Sequence, residues 1–174
     1  MYRLNNDKFT LPLIICLIIF LLICILTSIY YGNELLLGDL ELNNNDDVKY
    51  LRSAQTLLDT GKLTYANPEK STVFIMPGFV FTLLPFVAIF GKLGAIVAFR
   101  IFSALLQTFT LYLLFLIFRK VFSSSKIAFV AVVLNMIYVA NIYVTTLLLS
   151  ETVFIALLMN LIYICLFAVE KKSK

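Results

Sequence analysis

The chain has 174 residues, of which 61% are hydrophobic and 14% charged, with a formal net charge of +4. This composition excludes a soluble globular domain and is typical of an integral membrane protein, in which basic residues report topology rather than nucleic-acid binding. The sequence contains no histidine, so any acid–base chemistry falls to carboxylates, lysine or tyrosine. We predict an all-α, polytopic transmembrane protein with residues 1–174 in one membrane domain, located in the cell membrane if the source is prokaryotic.

The first predicted span covers residues 11–31, which are apolar throughout. This length crosses about 30 Å of hydrocarbon as a helix. The segment is too long for a typical signal-peptide core and no small-residue cleavage site follows it, so we expect a retained anchor. Tyr30 and Tyr31 suit the membrane–water interface.

Residues 32–94 form the one long loop, and its most strongly patterned part is a predicted amphipathic helix over residues 46–59. Asn45 or Asp46 can cap this helix, because a short polar side chain there accepts an otherwise unpaired backbone N–H. The apolar positions that follow recur at helical spacing, and Gly61 supplies a stop. The helix therefore begins with two adjacent carboxylates, Asp46 and Asp47.

The end of the loop, residues 74–90, is apolar but interrupted by Pro77-Gly78 and Pro85. We expect it to be an interfacial helix, because two prolines and a glycine weaken a transmembrane helix. Three more spans are predicted over residues 95–118, 127–149 and 152–169. The total is about four.

Basic clusters decide the predicted orientation. They lie at Arg3 and Lys8, at Arg119, Lys120 and Lys126, and at Lys171, Lys172 and Lys174. Four spans with a cytoplasmic N-terminus place all three clusters inside and the carboxylates of the loop outside. The alternative is five spans, with residues 74–90 crossing and the N-terminus outside. In this alternative only the first basic cluster lies outside the cell, and the carboxylate helix lies in the cytoplasm.

Four residues are candidates for chemistry. Asp46 and Asp47 can act as a general base with a neighbouring metal or sugar ligand, although the pair alone is also what a helix dipole favours. Arg100 is a cation in an apolar helix, where it can reach a phosphate, snorkel or join a structural ion pair. Glu151 lies at the start of the last span. There it can cap the helix, pair with Arg100, or form part of a site with the acids of the loop.

Several motifs in order carry a family resemblance. They are D-D-x-x-Y-x-x-x-A-x-x-L-L-x-x-G from Asp46 to Gly61, P-G-F before an apolar run ending in F-G, Arg100 near the start of the next helix, R-K-V-F, and L-L-S-E-T-V-F. Over about residues 11–169 the chain resembles the N-terminal part of the C-type (GT-C) integral-membrane glycosyltransferases. The nearest group is the protein O-mannosyltransferases and aminoarabinose transferases.

The resemblance implies a hexosyltransferase that uses a polyprenyl-phosphate sugar, such as a dolichyl- or undecaprenyl-phosphate mannose, at the extracytoplasmic face. Asp46, four residues before the motif tyrosine Tyr50, matches the catalytic base, and Asp47 is the neighbouring acid. Arg100 or a loop lysine would stabilise the leaving phosphate, which is our inference rather than a motif match. No cofactor is implied with certainty, and a divalent metal remains an option.

The chain departs from the family in having far fewer spans and no lysine directly before the proline motif. It can therefore be an N-terminal fragment of such an enzyme. The first alternative is a non-catalytic membrane subunit or truncated remnant that binds lipid-linked sugar or a membrane protein partner. The second is a small transporter or flippase component with Arg100 and Glu151 as pathway residues.

Overall fold

The computed structural model of the chain describes residues 8–32, 38–39, 42, 45–65, 67, 69–72 and 77–172, without the side chains of residues 169–172. The secondary structure of these residues is entirely helical, which confirms the predicted all-α class. In chain order the elements are α1 (Thr10–Tyr31), α2 (Asp46–Thr60), α3 (Pro77–Phe122), α4 (Ser125–Ile137), α5 (Ala140–Tyr143), a 3-10 turn (Val144–Thr146) and α6 (Glu151–Lys172).

Three of the described helices, α1, α3 and α6, are long and apolar enough to cross a membrane. A fourth candidate is α4 taken together with Ala140–Thr146, two pieces that meet at an angle of 68°. The sequence predicts one straight span over residues 127–149, and the structure bends it after Ile137. Asn141 compensates for the break, because its Nδ2 donates to the Asn135 carbonyl oxygen at 2.7 Å.

The long helix α3 is broken at Gly91, whose φ of 67° and ψ of 174° belong to a region that only glycine occupies without strain. The rings of Phe79 and Phe99 lie 5.4 Å apart, although a straight helix would separate them by about 30 Å. Phe86 likewise contacts Phe102 at 5.3 Å. Residues 77–90 therefore fold back against the start of residues 92–122, and the helix continues through Pro85.

Helix α2 has the capping that its sequence predicts. The Asn45 side chain accepts a hydrogen bond from the Asp46 N–H, and Gly61 ends the helix at φ 71° by donating to the Leu57 carbonyl. The helix packs on the folded-back part of α3, with the Tyr50 ring edge-on to Phe79 at 4.8 Å. A core cluster of buried residues joins α2, both parts of α3 and Leu148.

The two ends of the bundle carry different side chains. At one end, which we call the carboxylate end, Arg100 meets Gly32, directly after α1, and Thr146. At the opposite end, the basic end, the ring of Phe9 contacts Phe129 at 5.5 Å, and Lys120 lies 4.3 Å from the Phe167 ring centroid. The predicted basic residues Arg3 and Lys174, and the side chains of Lys171 and Lys172, lie outside the described residues.

Candidate functional site

Asp46 is an exposed carboxylate at the first position of α2. Its Oδ1 accepts a hydrogen bond from the Tyr65 hydroxyl. The segment that carries Tyr65 is tied to α2 twice more, because Arg52 Nη2 donates to the Tyr65 carbonyl and Ser53 Oγ donates to the Thr64 carbonyl. The position of the phenol beside Asp46 is thus set by contacts along the first half of α2.

Tyr50 lies where the negative charges of both Asp46 and Glu151 act on it. Its half-buried ring packs against Phe79 and lies 6.2 Å from the Tyr65 ring, measured between centroids. Burial raises the pKa of Tyr50, and the negative charges of Asp46 and Glu151 raise it further. Two exposed carboxylates from distant parts of the sequence therefore act on one phenol. We call Asp46, Tyr50, Tyr65 and Glu151 the surface carboxylate site.

Tyr65 is a neutral donor within this site. Burial, the hydrogen bond to Asp46 and the charge of Asp46 together raise the pKa of Tyr65 to about 12. Lys49 Nζ lies 5.3 Å from the centroid of the same ring, within the range of a cation–π contact. A carboxylate has about four lone-pair sites, so Asp46 can hold the phenol and still accept a proton from an incoming hydroxyl.

Asp47, unlike its exposed neighbour Asp46, is 0% exposed. Its Oδ1 accepts a hydrogen bond from the Val48 N–H at 2.8 Å. The negative charge of Asp47 acts on the guanidinium of Arg100, which is itself only 2% exposed. The two neighbouring acids of the sequence therefore have separate environments, one at the surface and one in the interior.

Arg100 joins three segments of the chain. Nε donates to the Thr146 carbonyl oxygen at 2.8 Å, and Nη2 donates to the Gly32 carbonyl oxygen. We call Arg100, Asp47, Gly32 and Thr146 the buried arginine cluster. The negative charge of Asp47 acts on Arg100, and the expected pairing of Arg100 with Glu151 stays a prediction.

The four predicted site residues thus divide into two groups. Asp46 and Glu151 belong to the surface carboxylate site, and Asp47 and Arg100 belong to the buried arginine cluster. Sequence reasoning missed Tyr65, Gly32 and Thr146. Tyr65 lies in a turn-rich stretch without periodicity, and the other two contribute backbone carbonyls, which no side-chain pattern reveals. The one feature of the sequence that could have pointed to Gly32 is its position as a glycine directly after Tyr30-Tyr31, at the end of the first predicted span.

A metal site is not assembled in the part of the chain that the structure describes, where no three His, Cys, Asp or Glu side chains come together in a group that could hold an ion. The adjacent carboxylates Asp46 and Asp47 face different environments, so they do not form a common ligand pair. The functional groups of the surface carboxylate site are therefore two carboxylates and two phenols.

Comparison with protein-family models, curated proteins and solved structures finds no match to this chain. The function is therefore argued from the surface carboxylate site itself. The strongest observation there is Asp46, an exposed carboxylate held in place by a neutral phenol.

Proposed function

We propose that this chain is a glycosyltransferase, or the N-terminal part of one, that moves a sugar from a polyprenyl-phosphate donor to an acceptor hydroxyl at the extracytoplasmic membrane face. The observation that carries the proposal is the exposed Asp46 carboxylate, held by the Tyr65 hydroxyl at one end of an apolar helical bundle, where the charge of Glu151 acts on the neighbouring Tyr50.

The orientation of the bundle supports the extracytoplasmic location. Arg119, Lys120 and Lys126 lie at the basic end, and basic residues favour the cytoplasmic side. Asp46 and Glu151 then lie outside. We propose four passes, with residues 77–90 as an interfacial helix, because the break at Gly91 folds this segment back rather than continuing the span.

The proposed reaction is an inverting displacement. Asp46 takes the proton of the acceptor hydroxyl as its oxygen attacks the anomeric carbon. The bond between that carbon and the phosphate oxygen breaks, and the polyprenyl phosphate leaves with the electron pair. Tyr65 keeps the carboxylate in one orientation, and its high pKa keeps it a donor throughout the neutral range.

The leaving phosphate needs positive charge. We assign this role to exposed lysines of the same loop, Lys62 and Lys70. Arg100 is 2% exposed and donates to two backbone carbonyls, so it would have to leave these partners to reach a phosphate. Phosphate binding by Arg100 remains the competing prediction, and the experiments on Arg100 described below separate the two.

The first test is the substitution Asp46→Asn in the full chain, reconstituted in vesicles with radiolabelled polyprenyl-phosphate mannose and a hydroxyl acceptor. Removal of the base should reduce transfer at least about a hundredfold. Asp59→Asn is the matched control, because Asp59 is an exposed acid of the same helix whose side chain bonds only locally to Gln55 in the described structure. Retained transfer in Asp46→Asn contradicts the proposal.

A non-catalytic membrane subunit is the second candidate. It is favoured by the position of Asp46 and Asp47 in the first turn of α2, where carboxylates stabilise a helix without any chemistry. In that case Asp46→Asn leaves co-purification of the membrane partner intact, and the chain shows no transfer before or after the substitution.

A further inference from the structure

We propose that Arg100 is a positioning residue whose buried guanidinium holds Asp47 inside the protein. It thereby fixes the rotation of α2 about its own axis and, with it, the direction in which the Asp46 side chain points. The consequence for catalysis rests on the proposed function of Asp46. The structural half, a lock on the rotation of α2, is independent of it and is measured separately.

The shape of the guanidinium group allows Arg100 to bind several acceptors in this buried position. It is planar and carries five N–H donors in a fixed fork, so one side chain can serve several acceptors at once. Two of these donors reach Thr146 and Gly32, which belong to the 3-10 turn and to the end of α1. The residue is therefore anchored to two segments other than the helix on which it stands.

Gly32 shows how closely the guanidinium approaches the end of α1. A Cβ at this position would lie 2.5 Å from Arg100 Nη1 and 2.9 Å from Cζ, as well as 2.1 Å from the Ser28 carbonyl oxygen. Only a residue without a side chain leaves this space open. The glycine thus permits the contact that holds the positive charge at the end of α1.

Helical geometry links Asp47 to Asp46. Neighbouring residues of an α-helix project about 100° apart, so the direction of one fixes the direction of the other. Asp47 is 0% exposed and lies one turn before Leu51, which packs in one buried cluster with Phe99, the neighbour of Arg100. A buried carboxylate that loses a nearby positive charge is driven toward water. Without the guanidinium, α2 would rotate on α3 to expose Asp47, and Asp46 would turn with it, together with the Tyr65 segment that is bonded to α2.

The rotation can be measured through Val48, which is 1% exposed, and Leu58, which is 46% exposed on the same helix. A cysteine at Val48 should react slowly with an impermeant maleimide, and Arg100→Gln should accelerate this labelling at least about tenfold. A cysteine at Leu58 should react quickly in both backgrounds. The chain without an added cysteine supplies the baseline for the native thiols.

The decisive variant adds Asp47→Asn to Arg100→Gln. Because no buried charge is then left without a partner, labelling at Val48 should return toward its slow rate. A general loss of folding would not be reversed in this way. Unchanged labelling in Arg100→Gln, or no recovery in the double variant, overturns the proposal.

Gly32→Ala tests the same contact without changing any charge. It should shift Gly32 and the guanidinium apart, because the added Cβ would meet both Arg100 and the Ser28 carbonyl, and thereby accelerate labelling at Val48 while Arg100 is retained. Gly78→Ala is the matched control, since a Cβ there would meet nothing within 4 Å, and it should leave labelling unchanged. Equal labelling in the two alanine variants contradicts the close approach at Gly32.

Transfer kinetics separate positioning from phosphate binding. As a positioning residue, Arg100 affects kcat with little change in the KM for the lipid donor, and Asp47→Asn partly restores kcat in the Arg100→Gln variant. As a phosphate ligand, its loss would raise the donor KM without rescue, which overturns the positioning role. If labelling responds as expected but the native chain shows no transfer, the lock stands and only the proposed function fails.

Discussion

Two identical side chains at neighbouring positions have opposite roles in this protein. Asp46 is exposed and accepts a hydrogen bond from Tyr65, whereas Asp47 is fully buried under the influence of Arg100. The sequence identifies both acids, because a capped helix with an acidic first turn is a local pattern. It cannot assign one to the surface and the other to the interior, since that depends on how α2 lies on α3.

The ionisation of Tyr65 tests the surface carboxylate site at this scale. Its pKa of about 12 results from burial first and from Asp46 second, so Asp46→Asn should lower the pKa of Tyr65 toward the usual value near 10. The absorbance change of tyrosinate formation, taken as the difference between each protein and its Tyr65→Phe variant, isolates this residue from the other eight. An unchanged titration in Asp46→Asn would contradict the hydrogen bond.

The raised pKa of Tyr65 also predicts how the free energy of unfolding changes with pH. The native phenol keeps its proton above the pH at which the unfolded phenol loses it, so the unfolded state binds fewer protons there. The contribution of Tyr65 is fully present below about pH 10 and is lost as the pH rises toward 12. Tyr65→Phe should therefore flatten the stability curve in this alkaline window.

At the scale of elements, the local signals predict α2 well and α3 incompletely. Asn45 and Gly61 mark the ends of α2, because caps and left-handed glycines act within one turn. The fold-back at Gly91 brings together residues that are distant in the sequence, such as Phe79 and Phe99, and the bend after Ile137 is accompanied by a hydrogen bond from Asn141 to Asn135, on the other side of the bend. Neither contact is visible in a periodicity.

Gly91 provides the test of the fold-back. Its backbone lies in a region that an alanine adopts only with strain of about 1–3 kcal/mol, so Gly91→Ala should lower the free energy of unfolding by that order. The control is Gly78→Ala, at an open helical position with an ordinary backbone. Equal stability of the two variants in denaturant titrations would show that the turn tolerates a side chain.

For the whole molecule, composition predicts the class and charge predicts the orientation. The high apolar content is matched by three helices that can cross a membrane, or up to four with the bent pair. The segregation of the surface carboxylate site from Lys120 and the other residues of the basic end depends on the antiparallel packing of α1 against the later part of α3, which the helix order of the sequence already favours.

The orientation is tested by labelling intact cells. A cysteine at Leu58, near the end of α2, should react with an impermeant reagent from outside, and a cysteine at Ser123, between α3 and α4, should react only after permeabilisation. Both positions are exposed, so burial does not explain a difference. The reverse pattern would place the surface carboxylate site in the cytoplasm and favour the five-span alternative.

The central claim is that Asp46 acts in the chemical step, and single-turnover transfer measured together with donor binding tests it most directly. The account predicts that Asp46→Asn binds polyprenyl-phosphate mannose with nearly the native Kd while the transfer rate falls at least about a hundredfold. A native rate in the variant, or a loss of donor binding that accounts for the whole loss of transfer, would contradict the assignment of Asp46 as the base.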